Sequence, residues 1–202
     1  MGYKILSKKE ICPNQFEITI DAPYVVRNAK AGQFIIFRAD KDSERVPLTI
    51  ADVNKEKGEL TLVFMAVGFS TKKLASLNEG DEIHDIVGPL GQPTHIKKYG
   101  TVVCLAGGYG AAPCYLIAKA FKDAGNKVYM IMGARTKELI FWQDKMNPQG
   151  FFRILYYTLF FRLWQNHTLQ EELSEFVLIQ LLLIRLMQRS PPNPQRHLRR
   201  VP

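Results

Sequence analysis

Short apolar runs, separated by Gly, Asn, Pro and charged residues, fill residues 3–95. Tyr3–Lys8, Asn14–Asp21, Gln33–Ala39, Val46–Val53, Glu59–Phe64 and Glu82–Val87 are rich in Ile, Val, Phe and Thr, as strands are. Phe16-Glu17-Ile18-Thr19-Ile20 alternates with period two, the mark of a half-buried strand. Ala31-Gly32-Gln33-Phe34 and Glu79-Gly80-Asp81 read as turns into strands. Leu74 and Leu77 share one face of a short helix that Ser70 or Thr71 would cap. Six such strands fit a small closed antiparallel barrel better than a sandwich with open edges.

After residue 97 the period changes. Thr101–Ala106 is a continuous apolar strand. Ala111–Asp123 places Leu116, Ile117, Ala120 and Phe121 on one side of a helix, which Gly125-Asn126 ends. Val128–Met132 reads as a second buried strand and Thr136–Met146 as a second helix. The order βαβα opens an α/β domain with a parallel sheet. The predicted fold class is therefore β + α/β. A six-stranded antiparallel barrel occupies residues 1–97. An incomplete parallel α/β domain follows over 98–146, because two strands are fewer than such a sheet needs.

Composition changes the picture beyond that point. Residues 151–202 hold no Gly, Ala, Asp, Lys or Cys, and 11 of those 52 residues are Leu, against 10 in the 150 before them. The shift marks 147–202 as an atypical tail and predicts that it is out of frame or disordered. Its apolar stretches, Phe151–Trp164 and Leu173–Met187, are too short and too interrupted by Arg for a transmembrane segment. An interfacial helix stays open there, and Gln188–Arg200 reads as a disordered basic end. The net charge of +8 is scattered rather than gathered into a patch, so no nucleic-acid partner is expected. Cys12, Cys104 and Cys114 lack metal-ligand spacing, and Met1–Leu6 has no apolar signal core. A cytoplasmic protein with reduced thiols and no metal is the expectation.

Three patterns carry candidate chemistry. Arg45-Val46-Pro47-Leu48-Thr49-Ile50 lies on a strand, and Ala66-Val67-Gly68-Phe69-Ser70-Thr71-Lys72 opens the short helix. A strand-borne Arg and a helix N-terminus bring a cation and N–H donors to one diphosphate. Thr49 can offer its hydroxyl to a ring nitrogen or carbonyl. The same residues also suit a surface Arg and a cap that serves only its own backbone. The third pattern joins strand to helix through Gly107-Gly108-Tyr109-Gly110, a turn able to cradle a phosphate. Pro113 replaces the third glycine of G-x-G-x-x-G and suits a first helical turn. After the second strand, Arg135 with Lys137 can accept a 2′-phosphate or form a solvated charged turn. Cys114, just after the glycine turn, reads as a small core residue or a neighbour of whatever the turn binds, and no His sits in a catalytic pattern.

In their order, R-x-P-[LI]-[ST], V-G-x-[GS]-T, G-P-L-G and strand–G-G-x-G-x-x-P resemble the ferredoxin–NADP reductase superfamily. Within it the chain is most similar to the electron-transfer subunits of dihydroorotate dehydrogenase and the FAD subunit of NADH-dependent ferredoxin–NADP oxidoreductase (sulfide dehydrogenase). The resemblance covers about residues 3–146. It implies FAD held by Arg45, Val46, Pro47, Leu48 and Thr49, with Val63, Phe64 and Met65 along the flavin and Gly68, Ser70 and Thr71 at the diphosphate. Thr49, near flavin N5, is the one catalytic candidate. It implies NADP or NAD over Gly107, Gly108, Gly110, Ala111 and Pro113, with Arg135 favouring NADP. The implied function is a flavin-dependent oxidoreductase subunit that moves electrons between NAD(P)H and an iron–sulfur or ferredoxin partner. That subunit works in a hetero-oligomer with a larger catalytic chain. The family's [2Fe-2S] cysteines and its D-D-G-S-x-G segment are absent from this sequence. The alternative is a truncated, inactive FAD-binding or partner-binding module.

Overall fold

Hairpin pairing organises the N-terminal half. β1 (Tyr3–Cys12) turns through Asn14, held at φ 59°, into β2 (Gln15–Asp21). β3 (Phe34–Arg38), β4 (Val46–Asn54), β5 (Glu59–Met65), β6 (Glu82–Ile83) and β7 (Asp85–Leu90) complete one antiparallel sheet of order β6-β1-β2-β5-β4-β3-β7. The computed structural model describes residues 2–134 and 136–146, with two further strands given below. Arg135 and the remainder of the tail lie outside the described residues, as do the membrane and basic-end readings made for it.

The sheet has seven strands rather than six because Glu82–Val87 is not one strand. His84 divides it: Ile83 pairs with Tyr3 at one edge of the sheet, and Ile86 pairs with Phe37 at the other. A single residue thus joins opposite edges, and the sheet curls into a nearly closed barrel. Inside it, alternation does what the sequence pattern predicts. Ile18, Ile20, Ile35, Phe37, Ile50, Leu60 and Leu62 are fully buried. Two helices border the barrel. α1 (Pro23–Asn28) went unpredicted because Val25 and Val26 are β-branched, yet both are buried and Pro23 starts the helix. α2 (Phe69–Ser76) buries Leu74. Gly88-Pro89-Leu90 of the G-P-L-G motif belongs to β7.

The second half is built on β8 (Thr101–Gly107), α3 (Ala111–Asp123) and β9 (Lys127–Gly133). Its parallel sheet has four strands rather than two. β10 (Phe152–Ile154) pairs with β9, and β11 (Val177–Gln180) pairs with β8, giving the order β10-β9-β8-β11. The predicted helix over Thr136–Met146 is reduced to a 3-10 turn, Lys137–Leu139, and one helical turn, α4 (Gln143–Met146). Ile140 and Phe141 are buried between these turns, and Trp142 takes φ 60°, which breaks the helical path.

α3 packs on β4, and the apolar residues of both halves form one continuous buried cluster. Polar contacts fasten the seam. Asp52 accepts Lys119 at 3.4 Å and Lys145 at 2.8 Å. The Trp142 indole N–H donates to Glu17, and the Cys12 thiol donates to the Glu138 carbonyl at 3.3 Å. The Lys145 ammonium stands 4.1 Å from the Trp142 ring centroid. No helix among the described residues is long and apolar enough to cross a membrane.

Candidate functional site

The first site lies where β4 begins. Antiparallel pairing brings the start of β4 to the end of β5, and so to the N-terminus of α2. The ion pair between Lys73 on α2 and Asp40 in the β3–β4 loop, 3.4 Å long, ties the same two segments together. The Asp40 carboxyl is held below its ordinary range, first by the Ser43 hydroxyl and further by the Asp42 N–H and Lys73.

At the helix terminus the first intrahelical bond runs from Lys72 N–H to Gly68 O, 2.9 Å. The N–H groups of Phe69, Ser70 and Thr71 therefore have no partner within the helix. Ser70 Oγ is buried and has no hydrogen-bond partner among the described residues either. Unspent donors at a helix terminus are suited to an anion. Thr71 departs from expectation: its hydroxyl accepts the Gly68 N–H at 3.0 Å and donates to Gly68 O at 3.2 Å. It shapes the turn, and only its backbone N–H is left for a ligand.

Arg45 is half-exposed, and its Nη1 lies 2.8 Å from Asp85 Oδ2. Asp85 sits opposite Arg38 in the β3–β7 register, and Arg38 Nη2 is 4.0 Å from the same carboxylate oxygen. One carboxylate thus steers two guanidinium groups at the start of β4. Asp85 was not singled out from the sequence, where one Asp at a strand start carries no pattern. Along β4, Leu48 is buried, while Val46, Pro47 and Thr49 retain exposure. Thr49 Oγ1 has no hydrogen-bond partner among the described residues. On β5, Val63 is nearly buried and Met65 is partly exposed. The Phe64 ring is 2% exposed and stacks on Phe16, so only its backbone can line a ligand.

The second site is the glycine turn. β8 ends at Gly107, Gly108–Gly110 form a 3-10 turn, and Ala111 opens α3, with Pro113 in its first turn. Gly107 has φ −116°, which any residue adopts, and a Cβ there would meet nothing within 4 Å. Nothing among the described residues requires glycine at 107, so the free space above its backbone suits the close approach of a ligand. Gly108 has φ +53° and also faces open space. Below the turn, Cys104 and Cys114 are fully buried against each other. Hydrogen bonding with Cys104, then burial, pushes the Cys114 thiol well above its ordinary range. Cys114 is a core residue.

The sheet order sharpens this site. β8 is flanked by β9, which follows it in the chain, on one side and by the later strand β11 on the other, so the strand order reverses at β8. In open parallel sheets the crevice at such a reversal, beyond the carboxyl ends of the strands, is where ligands bind. Gly107–Gly110 lie at that end of β8.

No family model matches the chain. It is 47% identical over 152 residues to the Clostridium beijerinckii protein named "Uncharacterized protein in adh 3'region", covering 72% of this chain and 51% of that one. It is 42% identical over 142 residues to the dihydroorotate dehydrogenase B (NAD(+)) electron transfer subunit homolog of Thermotoga maritima, covering 70% and 50%. The chain thus spans about half the length of these curated relatives. Among solved structures, the NADH-dependent reduced ferredoxin-NADP oxidoreductase superposes with a TM-score of 0.73 at 35% identity, over 83% of this chain and 64% of that one. With its barrel, its glycine turn and these likenesses, the chain is similar to the dihydroorotate dehydrogenase B electron-transfer subunits and has a ferredoxin–NADP reductase-like fold.

Proposed function

We propose that the chain is the electron-transfer subunit of a flavin-dependent oxidoreductase, with FAD on the barrel and NAD(P)H over the glycine turn. The observation that carries this reading is the open N-terminus of α2, tied to the loop that bears Arg45. Three unspent N–H groups, a buried unpartnered hydroxyl and a steered guanidinium converge there, a donor set that fits a diphosphate.

Bound there, FAD would supply the conversion of a two-electron hydride into single electrons. The chain's residues bind and orient. The N–H groups of Phe69, Ser70 and Thr71 and the Ser70 hydroxyl present donors to the diphosphate, Gly68 keeps the turn open beneath it with its own N–H spent on Thr71, and Arg45 neutralises the charge. Val46, Pro47, Leu48, Val63, Met65 and the Phe64 backbone line the ring and its side chain. Thr49 is the proposed catalytic residue, since its partnerless hydroxyl is free to hydrogen-bond the ring edge. Gly107, Gly108 and Gly110 let the second dinucleotide approach the backbone. Ala111 is a small residue opening α3, and Pro113 brings no N–H to the first turn, where none is needed. Arg135 is proposed to meet a 2′-phosphate and so favour NADP over NAD. Hydride transfer between two bound rings needs no general base, so positioning is the protein's main contribution. The names of the relatives support a larger catalytic or iron–sulfur subunit as partner.

The visible spectrum of the expressed full chain tests this. Flavin bands that bleach anaerobically on adding NADPH are expected. A colourless folded protein overturns the reading, and flavin that NADPH leaves oxidised reduces it to a flavin-binding module.

A further inference from the structure

The seam between the two halves opens into a cleft of ≈ 840 Å³ that neither dinucleotide site uses. Arg45 precedes β4, whereas Val53 and Lys55 at the other end of that strand line the cleft. The extended chain from Arg45 to Val53 covers about 26 Å. The glycine turn precedes α3, whereas the cleft is walled by the later part of that helix, Leu116 to Asp123. Its lining is therefore separate from every residue assigned to FAD or NAD(P)H.

Its charge is one-sided. Lys30 comes from the α1–β3 connection, Lys55 from just beyond β4 and Lys119 from α3. Against these the lining holds one carboxylate, Asp123. Lys119 already lies 3.4 Å from Asp52. Lys30 and Lys55 have no carboxylate in ion-pair reach among the described residues. Between the cations the floor is apolar, formed by Val53, Ile96, Leu116 and Ala120. The walls are preformed, because the linker is stitched to the barrel by Thr94 N–H to Ala31 O, 2.9 Å, and Gln33 Nε2 to Gly91 O, 2.8 Å.

We propose that this cleft binds a small anionic ligand with a flat apolar body, of the size and kind of a mononucleotide. Its phosphate would lie among Lys30, Lys55 and Lys119, and its heterocycle on the floor of Val53 and Leu116. The volume is in the range of small-molecule sites, and a concave surface lined by like charges focuses potential that an anion relieves. A phosphate there competes with Asp52 for Lys119. Asp52 also holds Lys145 at 2.8 Å, so occupancy bears on the seam between the halves.

Pyridoxal 5′-phosphate, a planar heterocycle with one phosphate, tests the proposal on the full chain with FAD and NADP+ in excess. Its aldehyde condenses with a lysine amine to an imine with loss of water, and borohydride reduces the imine to a secondary amine. Peptide mass spectrometry then reads the yield at each of the 16 lysines. At limiting probe, Lys30, Lys55 and Lys119 should exceed the other lysines by about tenfold, with AMP protecting at lower concentration than inorganic phosphate. In the Lys30→Glu/Lys55→Glu variant, and in the neutral Lys30→Gln/Lys55→Gln variant, the yield at Lys119 should fall about fivefold or more with unchanged far-UV circular dichroism. Labelling that follows exposure alone, an unchanged Lys119 yield in both variants, or equal protection by AMP and inorganic phosphate overturns the proposal.

Discussion

The barrel site draws on four separate stretches of chain, Arg45–Thr49, Val63–Met65, Gly68–Thr71 and Asp85, whereas the glycine turn is a single run from Thr101 to Pro113. The first exists only because strand register brings those stretches together, with Arg38 facing Asp85 and Phe37 facing Val46 across neighbouring strands. The second is shaped by local backbone conformation. It still depends on β9 and β11, which pair with both edges of the strand that carries it. A site of the first kind shares the stability of the whole barrel. A site of the second kind can lose its ligand without the fold noticing.

That contrast can be broken most forcefully at Phe37, which is fully buried in the barrel. Phe37→Ala should destabilise the chain by about 3–5 kcal/mol and take flavin binding with it, read by thermal unfolding and the visible spectrum. Retention of flavin at a lowered Tm would separate the barrel site from the barrel core. Next is Arg45→Ala, which removes a charge-assisted contact worth about 1.5–3 kcal/mol in FAD affinity. Arg45→Lys should recover only part of it, since an ammonium lacks the planar fork. Equal FAD dissociation constants for all three proteins would remove Arg45 from the site.

Gly107→Val sharpens the other side. A Cβ added there meets no described atom within 4 Å, so Tm should hold while NADPH affinity drops by about tenfold or more. A titration in which the variant binds NADPH as the parent does would refute the turn as a nucleotide cradle. The smallest effect concerns the seam. Burial, then the Asp52 and Asp123 carboxylates, push the Tyr115 phenol up from 10.0 to about 12. Between those values the unfolded chain releases the phenolic proton while the folded chain keeps it. The native state then binds more protons, and stability falls as pH rises. Denaturant unfolding should show that loss above pH 10 in the parent and a shallower one in Tyr115→Phe; identical slopes would contradict it.

Much of this was legible in the residues. Alternation over Phe16–Ile20 predicts the buried Ile18 and Ile20, and the glycine turn falls between a strand and a helix as its spacing requires. What stayed hidden was non-local. Asp85, Asp52 and Glu17 are single acidic residues without a local pattern, and each acquires a role only through a partner far away in the chain. α1 was masked by its two valines, and the helix over Thr136–Met146 was overruled by the burial of Ile140 and Phe141. The Leu-rich composition of the tail gave no sign that Phe152–Ile154 and Val177–Gln180 extend the parallel sheet.

By itself, then, the sequence determined the strand periodicity of the barrel, the βα turn at Gly107–Gly110 and the residue types on which the proposed dinucleotide sites rest. These follow from side-chain alternation and backbone freedom, which act over a few residues. Only the tertiary structure decided that His84 joins opposite edges of the barrel, that Asp85 orients Arg45, and that β9 and β11 place the glycine turn at a reversal of strand order. The reason is physical: strand register and the partner of a charged group are set by contacts between distant segments, and no local propensity encodes them.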